Sequence, residues 1–315
     1  MRKPLIRLEQ RPLTATRCTT VVPPSPTCTI IEQVADDDAI LYKLAPMDRY
    51  LVVGNPIAHS LSPEIHARFA AALGERISYE RLLVPAGAFA ASMRRFFDEG
   101  GRGANVTLPF KLDAFEFASR ASDRARLAGA ANFLASRDGV IEADNTDGAG
   151  LVADLTRNHG VRIRGARIVI LGAGGAARGV VGPLLAQHPE WIVIANRTRA
   201  RAEELARVFA SQGSVRACAL EEVPGDAAIL VNATSTSTKG EPLALRDGVL
   251  HADLFAYDMA YGAGARTFLE RARSAGAKAS DGLGMLVEQA AESYFLWRGK
   301  RPETAPVIAE LRKRA

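Results

Sequence analysis

The run Ile168-Val-Ile-Leu-Gly-Ala-Gly-Gly-Ala-Ala177 constrains this chain more than any other stretch. Its first four residues are continuously apolar and largely β-branched, as in a strand covered on both faces of a parallel sheet. Gly172, Gly174 and Ala177 fit G-x-G-x-x-G/A: the first permits a tight turn, the second lets a pyrophosphate approach the backbone, and the third lets helix pack closely on strand. A helix is expected from about Ala176 to Gln187, turning its unpaired N–H groups and positive dipole end toward Ala173, Gly175 and Ala176 of the loop. A second buried-type strand at residues 191–195 ends about 20 residues past the glycines, where the adenosine ribose is read. The chain offers Asn196, Arg197 and Thr198 there, with Arg201 one turn further, and no Asp or Glu. A carboxylate would accept from a free 2′-hydroxyl and repel a 2′-phosphate, whereas arginine pairs with the phosphate. NADP is therefore the expected cofactor. The alternative is a solvated helix start with Thr198 as its N-cap.

At 315 residues the chain has room for two domains, and a hydrophobic fraction of 48% with 24% charged residues is ordinary for a globular protein. The net charge of +5 comes from dispersed arginines, not from a basic block with aromatics between, which argues against nucleic acid as a partner. Cys18, Cys28 and Cys218 have neither C-x-x-C spacing nor an even number, and the five histidines lack metal-ligand spacing. No structural metal and a reducing, cytoplasmic compartment are expected. No apolar run approaches the ~20 residues of a membrane span.

Residues 1–46 differ from the rest: Thr, Pro and Arg dominate, Pro23, Pro24 and Pro26 oppose regular structure, and residues 36–38 are all Asp. A poorly ordered extension is expected, with Met47 as candidate natural start; a secretory core is missing, and a transit peptide is the lesser reading. A strand at residues 50–53 then leads to Ser60 and Ser62, just ahead of Pro63-Glu64 and a helix to about Leu73. Hydroxyls at such a junction suit an anionic ligand, or simply cap the helix. A strand at residues 77–83 and a helix at residues 86–99 follow. Thr107 and Lys111 close the next apolar segment. A lysine after Pro-Phe either snorkels to water or serves beside a carboxylate as an acid/base group. Asn132 and the Asp144-Asn-Thr-Asp-Gly148 stretch, by default a turn, again end apolar segments, where open α/β sheets place ligands. A helix is expected from Leu151, strands at residues 228–231 and 255–258, and a last helix from Met285 that carries Gln289.

In order and spacing these clusters resemble the shikimate dehydrogenases from about Met47 to the C-terminus. The resemblance rests on Gly54-Asn-Pro-Ile-Ala-His-Ser-Leu-Ser-Pro63, Asn105-Val-Thr-Leu-Pro-Phe-Lys111, Asp144 to Gly148, Gly172 to Gly175, Asn196 to Thr198, Asp258-Met259 and Asp281-Gly-Leu-Gly-Met285. It implies an α/β fold: an N-terminal α/β substrate domain (47–149), a Rossmann-type doubly wound NADP domain (150–281), and C-terminal helices (282–315) returning to the first domain. The implied reaction is reversible NADPH-dependent reduction of 3-dehydroshikimate to shikimate. Lys111 and Asp147 would be the catalytic pair. Ser60, Ser62, Thr107, Asn132, Tyr261 and Gln289 would hold the substrate, and Met259 and Gly282 would join the glycine loop at the cofactor. The chain departs from the family in Phe133, where Thr is usual after the asparagine, and in Thr236-Ser-Thr238, where a Gly-Met pair is usual. A quinate/shikimate dehydrogenase using NAD and a non-catalytic NADP-binding sensor are the competing readings; the first is opposed by Arg197, the second by retention of Lys111 with Asp147. A monomer or homodimer acting on a small molecule is expected.

Overall fold

The structure, a computed structural model, describes residues 47–234, 236 and 243–314. The expected N-terminal extension and most of the Thr236-Ser-Thr238 departure lie outside the described residues. Two six-stranded sheets organise the fold. In the first, β1 (Asp48–Gly54) pairs in parallel with β2 (Ile77–Leu83) and with β3 (Gly101–Val106). Residues 50–53 are buried throughout because both faces of the sheet are covered. Helix α1 (Ser62–Ala72) follows β1, and α2 (Phe89–Asp98) follows β2. Leu51 and Val53 pack with Phe89, Met93 and Phe96 of α2, while Tyr50 faces the other way and meets the Trp297 ring at 4.7 Å.

The rest of this sheet was not legible as strands. After α3 (Lys111–Phe117), β4 (Arg120–Ala121) and α4 (Asp123–Ala128), a hairpin of β5 (Phe133–Arg137) and β6 (Val140–Asp144) gives the order β2-β1-β3-β5-β6-β4, with β5 antiparallel to both neighbours. Its loop is Asp138-Gly139, both at positive φ (50° and 76°), the geometry of a two-residue turn that matches strand twist.

Asp144 to Gly148 is only partly a turn. The Asn145 carboxamide accepts the Asp147 N–H at 3.2 Å, closing an Asx turn that feeds directly into α5 (Asp147–Ala153). The helix thus starts four residues before the expected Leu151, and Asp147 is its first residue. It runs on into one π-helical turn, Asp154–Asn158.

The second sheet is all parallel: β7 (Arg167–Leu171), β8 (Trp191–Ala195), β9 (Val215–Cys218), β10 (Ile229–Asn232), β11 (Phe255–Asp258) and β12 (Lys278–Ser280). Its order, β12-β11-β10-β7-β8-β9, is the doubly wound 3-2-1-4-5-6 arrangement read from β9, with the reversal of direction between β7 and β10. Helix α6 (Gly175–Leu185) leaves the glycine loop and α7 (Arg199–Phe209) follows β8. The first lies within two residues of expectation, and the second starts directly after Thr198, where the alternative reading put a helix start. Thr198 occupies the N-cap of α7, but its side chain caps nothing. After α8 (Arg266–Ser274), α9 (Leu283–Arg298) and α10 (Ala305–Arg312) pack on α1: Leu283, Val287, Ala291 and Tyr294 meet Ile65 and Phe69. No helix among the described residues is long and apolar enough to cross a membrane.

Helices α5, α6 and α9 meet through glycines. A Cβ on Gly148 would lie 2.3 Å from Pro183 Cγ and 2.5 Å from the Gly179 carbonyl oxygen, and one on Gly150 would lie 2.7 Å from Gln289 Cβ. Gly148→Ala is therefore expected to destabilise the protein by about 1–3 kcal/mol, since the overlap with backbone outweighs the roughly 1 kcal/mol of helix propensity that alanine adds. The check is a urea titration, in which the midpoint falls at constant slope. An unshifted midpoint would mean that the helices separate at no cost.

Candidate active site

The ends of β1, β3 and β6 lie at one edge of the first sheet. Beyond β1 come Ser60 and Ser62, the first residue of α1, beyond β3 come Thr107 and Lys111, the first residue of α3, and β6 runs into Asp147. The first two are stitched together by Asn55 N–H to the Leu108 carbonyl at 2.9 Å, and Gly54 sits so close to Thr107 that a Cβ there would lie 2.5 Å from Thr107 Cγ2. Neither serine holds the N-cap position: Leu61 does, and Ser62 is already inside the helix, while Ser60 Oγ accepts the Ser62 N–H at 3.3 Å and so satisfies one of the helix's free N-terminal donors. Two bonds from the Arg81 guanidinium to the Ser60 carbonyl, 2.9 and 2.6 Å, hold that loop from β2.

Lys111 does not snorkel. Its side chain is 13% exposed, and Nζ donates to Asp147 Oδ2 at 2.5 Å, with the Asp147 side chain 8% exposed. The other carboxylate oxygen accepts from Asn132 Nδ2 at 2.8 Å. The orientation of this amide is forced. Asn132 Oδ1 accepts the Thr146 backbone N–H at 2.7 Å, and a backbone N–H can only donate, so the NH2 end must face Asp147. It also reaches Thr146 Oγ1 at 2.9 Å and Gln289 Oε1 at 3.3 Å. Asp144 anchors the start of this segment, accepting from Arg124 at 2.5 and 2.9 Å, a bidentate pair that fixes orientation as well as charge. Each Asp147 oxygen thus faces a side-chain donor.

The second sheet approaches from its glycine loop. A Cβ on Gly175 would touch Lys111 Cβ at 3.7 Å, so the loop and the lysine are neighbours. Gly172 takes φ 107°, closed to side chains, and a Cβ on Gly174 would meet nothing within 4 Å, leaving its backbone open to a ligand. Ala173 and Ala177 are buried, and Gly175 and Ala176 open α6. Gly282, just before α9, is pressed on the Met259 carbonyl, where a Cβ would lie at 2.4 Å. Tyr261 reaches across: the Leu61 backbone meets its phenol oxygen and partly offsets the upward push of burial on its pKa. At the end of β8, Asn196 Nδ2 donates to the Thr198 carbonyl at 2.9 Å. Arg199 is committed to Glu203 and Glu222. Arg197 and Arg201 are exposed and make no ion pair among the described residues. Backbone N–H groups at a helix start and two unengaged guanidiniums fit a pyrophosphate and a 2′-phosphate respectively.

Several residues of this cluster were not singled out from sequence. Thr146 and Ser293 join Asn132 and Gln289, their hydroxyls 3.2 Å apart, and Asn105 Nδ2 donates to Ser293 Oγ at 2.9 Å. Ser293 was accessible, standing four residues after Gln289 on the same helix face. Asn105, at a strand end two residues before Thr107, carried the same signal as its neighbour.

Residues 52–134 match the shikimate dehydrogenase substrate binding domain, residues 154–244 the shikimate / quinate 5-dehydrogenase family, and residues 282–312 the shikimate 5′-dehydrogenase C-terminal domain. The chain is 52% identical over 273 residues to the shikimate dehydrogenase (NADP(+)) of Acidovorax sp. (strain JS42), covering 85% of this chain and 97% of that protein. Among solved structures, it is similar to an Ael1 enzyme from Pseudomonas putida, with TM-score 0.79, 46% identity and coverage of 84% of this chain and 98% of the other. It is likewise similar to the shikimate 5-dehydrogenase of Thermus thermophilus in complex with NADP(H) and shikimate, with TM-score 0.75, 32% identity and coverage of 85% and 99%.

Proposed function

The chain belongs to the shikimate dehydrogenase family, and from that membership we propose that Lys111 and Asp147 carry its reaction, the reversible NADPH-dependent reduction of 3-dehydroshikimate to shikimate in aromatic amino acid biosynthesis. The observation that supports this assignment best is the Lys111–Asp147 contact of 2.5 Å, part-buried and adjacent to the glycine loop. Bound NADPH supplies the hydride. As the ring carbonyl becomes an alkoxide, the Lys111 ammonium stabilises the charge and donates the proton. Asp147 holds Lys111 in place through one oxygen, while Asn132 fixes the other. Ser60, Ser62, Thr107, Asn132, Tyr261 and Gln289 surround the ring hydroxyls and carboxylate. We assign substrate binding to residues 47–149 with the C-terminal helices 282–315, and NADP binding to residues 150–281. For the cofactor, Gly172 to Ala176 would take the pyrophosphate, Asn196 to Thr198 with Arg201 the adenosine end, and Met259 with Gly282 the nicotinamide end.

Initial rates with shikimate and with quinate, each with NADP and with NAD, test the reading. Shikimate with NADP is expected to give the highest kcat/KM; preference for quinate or NAD would overturn it. The cofactor half has its own test. Arg197→Asp sets a carboxylate where the 2′-phosphate is to lie, and loss of a charge-assisted contact costs about 1.5–3 kcal/mol, so the NADP dissociation constant rises at least about tenfold. NAD binding is unaffected or improved. An unchanged NADP constant removes Arg197 from the site.

A further inference from the structure

Tyr79, on β2, lies outside every cluster that the sequence singled out, yet its hydroxyl donates to Asn105 Oδ1 at 2.7 Å. We propose that Tyr79 is a positioning residue of the active site: it holds the Asn105 carboxamide in the single orientation that completes the hydrogen-bond chain to Asp147. This rests on the shikimate dehydrogenase reading above.

The direction of each bond can be deduced in turn. Asn105 is 5% exposed, so each of its polar atoms needs a partner. Its Nδ2 reaches the Asn132 carbonyl at 3.3 Å, which can only accept, and Ser293 Oγ at 2.9 Å. The Ser293 proton is used on the Gln289 carbonyl at 3.0 Å, so Ser293 accepts from Asn105. Oδ1 must then face Tyr79, and Tyr79 must donate. Ser293 passes the constraint to Thr146 Oγ1 at 3.2 Å, and Thr146 to Asn132, whose NH2 grips Asp147. Rotating the Asn105 amide by half a turn would set its oxygen against the Asn132 carbonyl and Ser293, both acceptors here. In the observed orientation Oδ1 needs a donor, and Tyr79 supplies it.

The phenol is itself held. The His66 ring stacks on it with centroids 4.1 Å apart and planes 9° from parallel. His66 is fully buried, burial pushes its pKa down to about 3, and neither nitrogen meets hydrogen-bond geometry, the Asn105 side chain alongside included. It serves as a neutral flat plate. On the other side, the Ser62 hydroxyl lies beside the Tyr79 phenol and partly opposes the upward shift that burial imposes on it. Tyr79 therefore stands between Ser62 and Asn105, joining the loop after β1 to the chain that ends at Asp147.

The test is Tyr79→Phe, which keeps the ring and its stack and removes only the donor. Leaving a buried acceptor unpaired should lower kcat/KM for shikimate about five- to a hundredfold, with KM for NADP within about twofold of wild type. A residue that acts through Asn105 has nothing left to position in Asn105→Ala, so in that background Tyr79→Phe should change kcat/KM by less than about twofold. Wild-type kcat/KM in Tyr79→Phe, or a full additive loss in the double variant, overturns the proposal. If the wild-type protein itself fails to turn over shikimate, the functional reading falls, and the positioning role is then decided by the side-chain NH2 resonances of Asn105 and Asn132. Displacement of both in Tyr79→Phe supports it; unmoved resonances overturn it.

Discussion

Lys111→Ala is expected to slow single-turnover oxidation of NADPH at saturating 3-dehydroshikimate by about 10²–10⁴-fold, the usual contribution of a positioned acid/base group. The size follows from where the ammonium sits. At 13% side-chain exposure it is largely screened from water, so solvent cannot easily replace it as the proton source. In the proposed role its contact with the developing alkoxide would exist mainly in the transition state, and losing an interaction of that kind lowers kcat and kcat/KM together while sparing ground-state affinity. The measurement separates this from a positioning role: if Lys111→Ala reacts at the wild-type rate once saturated, the lysine only aids binding, and another group donates the proton.

Asp147→Asn is the second large effect, expected at about 10²–10³-fold in the same single-turnover rate, on the scale of acid–base groups. The substitution keeps the shape and removes one acceptor. Both carboxylate oxygens are faced by obligatory donors, the Lys111 ammonium at 2.5 Å and the Asn132 NH2 at 2.8 Å. An asparagine presents one oxygen and one NH2, so in either orientation a donor confronts a donor. If the NH2 turns to Lys111, the lysine is pushed off its place; if it turns to Asn132, the amide chain through Thr146 breaks. If the two residues in contact act as one unit, as proposed, the double variant should lose less than the product of the two single losses. Purely multiplicative losses would show that the residues work independently.

The cofactor half of the fold was legible because its signals are local. A buried apolar strand, glycines at fixed offsets and arginines at the next strand end all act within about 30 residues, the span of one βαβ unit. The observed β7, β8 and α6 fall where that pattern puts them. Legibility failed where structure depends on distant partners. Strands β5 and β6 are short and lack clear alternation, and they exist because β3 supplies an edge for β5 to pair with. The Asp138-Gly139 turn between them was a usable hairpin signal that the reading passed over. Within the site, the residues at loop ends were recoverable one by one. The contacts of Tyr79 with Asn105, 26 residues apart, and of Asn105 with Ser293, 188 residues apart, have no expression in any local pattern.

The packing of α9 and α10 on α1 sets an order of events on the ribosome. One face of the first sheet is sealed early, by α2 and α3, which directly follow their strands. The opposite face shelters under α1, but α1 turns Ile65 and Phe69 toward Leu283, Val287 and Tyr294, and Trp297 covers Tyr50 and Phe133. Those covers are synthesised only after every strand of both sheets. The middle of the chain, β7 to β12 with its own helices, has nearly all that its apolar clusters need before then, Met285 of α9 apart, and domains close as units during synthesis. The lobe built from residues 48–144 is thus finished after the one that follows it in the chain, and Asn105 and Asn132 come under their final constraints only when Gln289 and Ser293 arrive.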